Sequence, residues 1–454
     1  MANIHDADYV RVSNSLTAAI ADELEAYKES HAESGRRIAT AGQFMPGGNT
    51  RTGLYYPPFP VIMAKGDGAE LDDVDGNKYF DFCSDYTSAI YGHNNPAILD
   101  AISTALADGL QFGAGNQYEH LLSELICERY PAIDLVRFCN SGSEANLYAI
   151  ATAQIITSRK KIMAVNGAYH GGMLCWAAGK TVGDNLDNEK IPNAPFDVVL
   201  TEWNDIEGTA ALIHEHKDDL AAFIIDPVMS YSGSPARDAY IRAVRDITRE
   251  NDVLMIVDEV MAARYGPQGY HGYLGIKPDL VTLGKFHGGG FSSGAFGGAE
   301  HIMKRFNPSA ADYIAHSGTN NNNIASMAAG YAGLSQVFTP DAAAALTKKG
   351  EELTARLNAV AERHGAPAQA CGMCSIITFL FSDRPVNTAE DMLHVNEDLM
   401  TLFYIWMLNR GIYMMTRGCM SLSVALEERH YDRLVDLFDQ FLTDHKAIIA
   451  AEFQ

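Results

Sequence analysis

A chain of 454 residues, 47% hydrophobic and 20% charged, has the balance of a globular protein and is long enough for one large domain and at least one smaller one. Its formal net charge of -23 would repel phosphate backbones and anionic headgroups, and no run of Lys and Arg offsets it, which argues against nucleic acid and membrane surfaces as partners. The opening residues MANIHDADYVRVSN lack a basic stretch leading into an apolar core, and no stretch of about 18 apolar residues occurs, so a cytoplasmic protein is expected.

Residues 15–38 are rich in Ala, Glu, Leu and Arg and predict a helix. Phe44-Met45-Pro46-Gly47-Gly48-Asn49-Thr50-Arg51 then breaks the pattern with turn residues. Pro60 to Gly66 and Ala69 to Tyr79 read as short strands joined by turns, the second containing Asp75-Gly76-Asn77. From about residue 95 to 300, helical stretches alternate with short runs, several of them almost wholly apolar, at 135–138, 161–165, 198–200, 221–225, 254–257 and 280–283. Runs this apolar suit strands covered on both faces, and the spacing leaves room for crossover helices, so a mainly parallel α/β sheet is predicted. Ligands of such sheets sit beyond the carboxyl ends of the strands.

After Gly330 the pattern predicts a helix at 341–364, a strand at 375–381, a helix at 389–409, strand-like 411–414 and 420–424, and a last helix from 427. That order suits a smaller α+β domain. The division expected is a lead-in over 1–68, a large domain over 69–330 and a small C-terminal domain over 331–454. Seven cysteines in so long a chain suggest reduced thiols. The Cys371-x-x-Cys374 pair, with no second Cys or His pair nearby, reads as a loop entering a strand rather than as a metal or redox site.

Chemistry concentrates at the ends of the apolar runs. Val257-Asp258-Glu259-Val260 closes one and Thr282-Leu283-Gly284-Lys285 closes the next. A buried lysine with a depressed pKa is an imine-forming nucleophile, and a carboxylate opposite it can keep a pyridinium protonated, so the pair suits pyridoxal 5'-phosphate (PLP) as the cofactor, held by Lys285 as a Schiff base. Alone, a strand-end Asp reads as a cap or ion pair, and a lone Lys as solvated. Asn140-Ser141-Gly142-Ser143-Glu144-Ala145-Asn146 follows a strand and opens a helix, so its N–H groups and hydroxyls can cradle a phosphate, although Ser-Gly-Ser-Glu is also an ordinary helix start. Tyr169, in Tyr169-His170-Gly171-Gly172, offers a ring for stacking.

These motifs, in this order and spacing, resemble the class III aminotransferases of PLP fold type I. The likeness covers roughly residues 40 to 430. Met45-Pro46-Gly47-Gly48 and the segment KFHGGGFSSGAFGG resemble the glutamate-1-semialdehyde aminomutase group; NTRTGLYYPPFP, EVMAAR and HSGTNNNN resemble the aromatic β-amino acid (β-phenylalanine) aminotransferases. The resemblance implies that Ser141, Gly142 and Ser143 hold the phosphate and Tyr169 stacks on the ring. It further implies that Asp258 pairs with the pyridine nitrogen, Val260 packs on the opposite ring face, and Lys285 forms the imine and shuttles the proton. Thr319 would contact the phosphate of a neighbouring subunit's cofactor, which implies a homodimer with shared sites.

Arg51 and Arg417 match positions expected to hold carboxylates, Arg51 that of a β-amino acid and Arg417 the α-carboxylate of an α-amino or α-keto partner; a guanidinium suits either through two parallel hydrogen bonds. Tyr55, Tyr86 and Met229 are expected in the pocket walls. Two departures stand out: Asp226-Pro227 where many relatives have Glu-Pro, and His287, which reads as a packing or hydrogen-bonding residue. The expected reaction is ping-pong amino transfer from an amine or β-amino acid to an α-keto acid such as 2-oxoglutarate or pyruvate. The alternatives are a glutamate-1-semialdehyde-type aminomutase, an amino-acid racemase, or a catalytically silent binding protein of the same fold.

Overall fold

A computed structural model of the protein describes residues 14–176, 193–228, 235–388 and 391–454. Its strands are β1 (Met63–Asp67), β2 (Glu70–Asp73), β3 (Lys78–Asp81), β4 (Leu135–Cys139), β5 (Lys161–Val165), β6 (Val198–Thr201), β7 (Leu220–Ile225), β8 (Leu254–Asp258), β9 (Leu280–Gly284), β10 (Gly294–Gly298), β11 (Ala368–Met373), β12 (Ile376–Phe381), β13 (Ile412–Tyr413) and β14 (Cys419–Ser421).

The apolar runs of the middle of the chain form one seven-stranded sheet, ordered β4-β10-β9-β8-β7-β5-β6. Neighbours from β9 to β6 pair in parallel, and β10 runs antiparallel to both β4 and β9. Every residue of β7 and β9 is buried, as two covered faces require. The helix Gly142–Thr157 packs across β7, β8, β9 and β10. It turns Ala145, Ala149 and Ala153 inward at four-residue spacing, and these small side chains leave room for the fully buried Ile150. Burying that one side chain contributes roughly 2 kcal/mol.

Strand β10, Gly294-Ala295-Phe296-Gly297-Gly298, has no apolar run to announce it. Its glycines are there for space: a Cβ on Gly294 would run into the Ser141 carbonyl, and one on Gly298 into the Asp279 carbonyl. The strand therefore brings β9 and the Ser141 turn close together.

A four-stranded sheet joins the two ends of the chain, with β1, β2 and β3 antiparallel and β13 parallel to β3. The boundary expected at 68/69 falls inside its β1–β2 hairpin. A third sheet, β11-β12-β14, is antiparallel. The long helix Pro340–His364 has the signals its sequence carries: Thr339 caps it by accepting from the Ala342 N–H, Pro340 stands at its first turn, and Gly365 closes it at φ 60°.

Three expectations need correction. The helix expected over 15–38 is two helices, Asn14–Ser30 and Ala32–Ala41, broken where the His31 imidazole turns inward to Tyr79 Oη at 2.6 Å. The helix expected over 389–409 is a short turn, Asp391–His394, followed by Glu397–Leu408, because Asn396 caps a fresh start by accepting from the Leu399 N–H; residues 389 and 390 lie outside the described residues. Cys371 lies within β11 and Cys374 in the turn to β12, and no disulfide joins the cysteines among the described residues. Among the described residues no helix is long and apolar enough to cross a membrane, and no cluster of His, Cys, Asp and Glu is placed to hold a metal.

Candidate active site

The parallel register of β8 and β9 pairs Asp258 with Thr282, so Asp258 and Lys285 leave the sheet at neighbouring strand ends. The Asp258 carboxylate is buried and held on both oxygens. Oδ2 accepts from Asn146 Nδ2 and His170 Nδ1, each at 2.7 Å, and Oδ1 accepts from the Val260 N–H at 2.9 Å, with Thr282 Oγ1 3.4 Å away. Asn146 is fixed in turn, donating to the His170 carbonyl and accepting from Thr282 Oγ1 at 2.6 Å. A carboxylate so supplied is held in one orientation.

Lys285 Nζ donates to two neutral acceptors, the Tyr86 carbonyl and Thr87 Oγ1, each at 2.7 Å. Burial pulls its ammonium down to about 8; the Asp258 and Asp85 charges oppose that, and buried Arg264 adds to it. The acceptors come from an unusual turn: Ser84, Asp85, Tyr86 and Thr87 all have positive φ, at 46°, 42°, 52° and 79°. Four consecutive left-handed non-glycine residues cost roughly 1–2 kcal/mol each. The turn is held at its start by Asp81 Oδ1, which accepts from the Cys83 and Ser84 N–H groups, and at Thr87 by Arg264, which donates to the Thr87 carbonyl, Ser375, Ser421 and the Leu422 carbonyl.

The Ser141 turn opens the helix Gly142–Thr157. Ser141 Oγ accepts from the Glu144 N–H at 3.1 Å, while Gly142 and Ser143 present first-turn N–H groups that no helical carbonyl reaches. A Cβ on Gly142 would lie 2.6 and 2.7 Å from the Val260 methyl carbons, so Val260 packs directly against this turn; Ser143 Oγ lies against Gly171. Tyr169 is 48% exposed. Burial raises its phenol pKa, with Arg51, Asp258 and Arg417 among the charges acting on it, so these residues share one electrostatic neighbourhood.

Arg51 Nη2 donates to Asp85 Oδ1 at 2.9 Å, and its guanidinium lies 4.9 Å from the centroid of the Tyr86 ring. Arg417 is half-buried in the turn between β13 and β14 and has no hydrogen-bond or ion-pair partner among the described residues. Tyr86 donates to the Gly53 carbonyl, and burial raises its pKa to about 12 against the pull of Arg417 and Arg51. Tyr55 ends the short turn Thr52–Leu54 and is exposed. Met229 lies outside the described residues. Asp226 is buried just beyond β7.

Thr319 sits on an exposed turn whose neighbours Ser317 and Asn321 bond Tyr148 and Asn140 of the same chain; it makes no hydrogen bond to Lys285 or the Ser141 turn. His287 is buried away from these groups, donating from Nδ1 to the Gly284 carbonyl and accepting from Tyr130 Oη, and burial drives its pKa to about 3.

The sequence between residues 54 and 440 matches the family Aminotransferase class-III. The chain belongs to this family. It is 39% identical over 435 residues to β-phenylalanine transaminase of Variovorax paradoxus, covering 96% of this chain and 98% of that protein. A crystal structure of a β-phenylalanine aminotransferase from Variovorax paradoxus superposes with a TM-score of 0.91 at 39% identity, covering 95% and 98% of the two chains. Glutamate-1-semialdehyde 2,1-aminomutase of Methanosarcina acetivorans is 35% identical over 382 residues, covering 82% and 89%.

The class III aminotransferase is an α/β protein of PLP fold type I and depends on PLP. Three observations fit that cofactor. An amine near a fixed carboxylate bonds only neutral acceptors, a half-exposed Tyr169 feels the charges of Asp258, Arg51 and Arg417, and a helix start offers first-turn N–H groups with a glycine where a side chain would collide with Val260. Sequence reasoning did not assign roles to Asn146, His170, Thr282, Thr87, Asp85 or Arg264. Asn146 and His170 stood inside quoted motifs, and the one-turn spacing from Gly142 to Asn146 was the available signal. Nothing in the sequence marks Ser84-Asp85-Tyr86-Thr87 as left-handed.

Proposed function

We propose that this aminotransferase takes an aromatic β-amino acid of the β-phenylalanine type as amino donor and passes the amino group to an α-keto acid such as 2-oxoglutarate or pyruvate. The observation that carries this reading is the placement of two guanidinium groups, Arg51 and Arg417, in the neighbourhood of Tyr86 and Tyr169. One cation suits the carboxylate of a β-amino acid and the other that of the α-keto acceptor.

When bound, the cofactor supplies the electron sink for breaking the bond to hydrogen beside the amine. Lys285 Nζ would hold the cofactor covalently, and its amine, whose pKa burial pulls down to about 8, would take and return the proton at the substrate carbon. Asn146, itself held by Thr282, fixes the Asp258 carboxylate together with His170 and the Val260 N–H, and that carboxylate would pair with the pyridine nitrogen of the cofactor. The N–H groups of Gly142 and Ser143 and the Ser141 turn would take the phosphate. Tyr169 and Val260 would cover the two ring faces and exclude water from the reacting carbon.

Thr319, exposed on its turn, suits a contact to the cofactor phosphate of a second copy, which supports a homodimer with shared sites. The acidic composition and the absence of a membrane-crossing helix among the described residues support a cytoplasmic location. The test is a donor panel of β-phenylalanine, α-phenylalanine and 1-phenylethylamine against 2-oxoglutarate and pyruvate. Arg51→Ala should lower kcat/KM for β-phenylalanine by about 10- to 100-fold and leave the acceptor's parameters less affected, with Arg417→Ala showing the reverse. Equal parameters for all donors in wild type and variants would overturn the reading.

A further inference from the structure

The Arg51 guanidinium already has a carboxylate on it. Asp85 Oδ1 accepts from Arg51 Nη2 at 2.9 Å, and Asp85 Oδ2 is fixed by Ser88 Oγ at 2.7 Å. The Asp85 backbone is set by the left-handed turn at φ 42°, and the same turn carries the Tyr86 ring beneath the guanidinium and the Tyr86 carbonyl that receives Lys285 Nζ. Asp85 is thus aimed by the backbone and by Ser88. Its charge also reaches Lys285.

We propose that Asp85 is a specificity-determining residue, an internal carboxylate that occupies Arg51 until the carboxylate of an incoming β-amino acid displaces it. This rests on the assignment of Arg51 as the β-carboxylate clamp. The side chains of Arg51 and Asp85 are 52% and 60% exposed, and ion pairs so solvated are weak. Asp85 is therefore an occupant a substrate can displace. With no carboxylate in the site, the pair leaves the guanidinium neutralised beside Tyr86, so Asp85 narrows the advantage that carboxylate-bearing donors would otherwise have. Two carboxylates crowded on one guanidinium also repel each other.

The test uses the holoenzyme and competitive inhibition by 3-phenylpropionate, with 3-phenylpropanamide as the uncharged control. Asp85→Asn is the informative variant, since Asn adopts positive φ as readily as Asp and its amide oxygen can keep the Ser88 bond. The Ki of 3-phenylpropionate should fall roughly two- to five-fold, the equivalent of removing one exposed ion pair, while the Ki of 3-phenylpropanamide does not follow it. A Ki for 3-phenylpropionate that stays the same or rises in Asp85→Asn, or falls in parallel with that of the amide, overturns the proposal. Arg51→Ala separates the two claims. If it raises the Ki of 3-phenylpropionate while Asp85→Asn does not lower it, the clamp stands and the role of Asp85 falls; if Arg51→Ala leaves that Ki unchanged, both fall.

Discussion

Lys285 should react as an amine whose proton is lost near pH 8, and Thr87 should be one reason it is not lost earlier. With the ammonium at about 8, roughly 9% is neutral at pH 7, against roughly 0.03% for an ordinary exposed lysine, a gain of about 300-fold in nucleophile. The Thr87 hydroxyl accepts from Nζ at 2.7 Å and favours the charged donor over the neutral one. Thr87→Val keeps the shape and the β-branch while removing that acceptor. A charge-assisted bond exceeds a neutral one by about 1 kcal/mol, so the variant should titrate about 0.7 unit lower, a little above 7. The assay is acetylation of cofactor-free enzyme by a limiting amine reagent across pH, with the Lys285 peptide quantified by mass spectrometry against an exposed lysine peptide. An inflection for wild type at or above 10, or an upward shift in Thr87→Val, would refute the reasoning.

Gly142→Ala places a methyl 2.6 and 2.7 Å from the Val260 methyl carbons; the overpacking, about 1–3 kcal/mol, should weaken cofactor binding by tenfold or more in an equilibrium titration. Asn146→Ala removes a donor from buried Asp258 and an acceptor from Thr282, which should cost about 1–3 kcal/mol of stability and show as a lower urea midpoint with unchanged slope. His287 is held at about 3, below the value near 6.5 that an unfolded chain returns it to. The unfolded state therefore binds more protons between these values, and stability is lost as pH falls from 6.5 toward 3. In His287→Asn, whose amide can still donate to the Gly284 carbonyl, urea midpoints measured across that range should fall less steeply with acid than in wild type.

The large sheet is legible because strands buried on both faces must be written in apolar residues, and those of β7, β8 and β9 are. Asp258 and Lys285 are legible for the same reason, being the first polar groups to follow such runs. β10 is not, since close approach to the Ser141 turn and to Asp279 demands glycine and erases the apolar signal. Nor is the left-handed turn at 84–87: its residues are ordinary, and beyond Asp81 at its start it is held by Arg264, itself fixed by Ser375, Ser421 and Leu422 of the C-terminal strands and turns. Arg51 and Asp85, far apart in sequence, become partners only when the loop before β1 folds over that turn. Sequence could name the arginine; only the fold shows what already sits on it.

Transfer from a β-amino acid is tested most directly by the stoichiometry of the first half-reaction. Holoenzyme mixed with excess β-phenylalanine and no acceptor should release one equivalent of the corresponding 3-oxo acid per active site and stop, and 2-oxoglutarate or pyruvate should restart steady turnover. Continued conversion of the donor without an acceptor, to an isomer or the opposite enantiomer, would contradict the account, as would the absence of any burst.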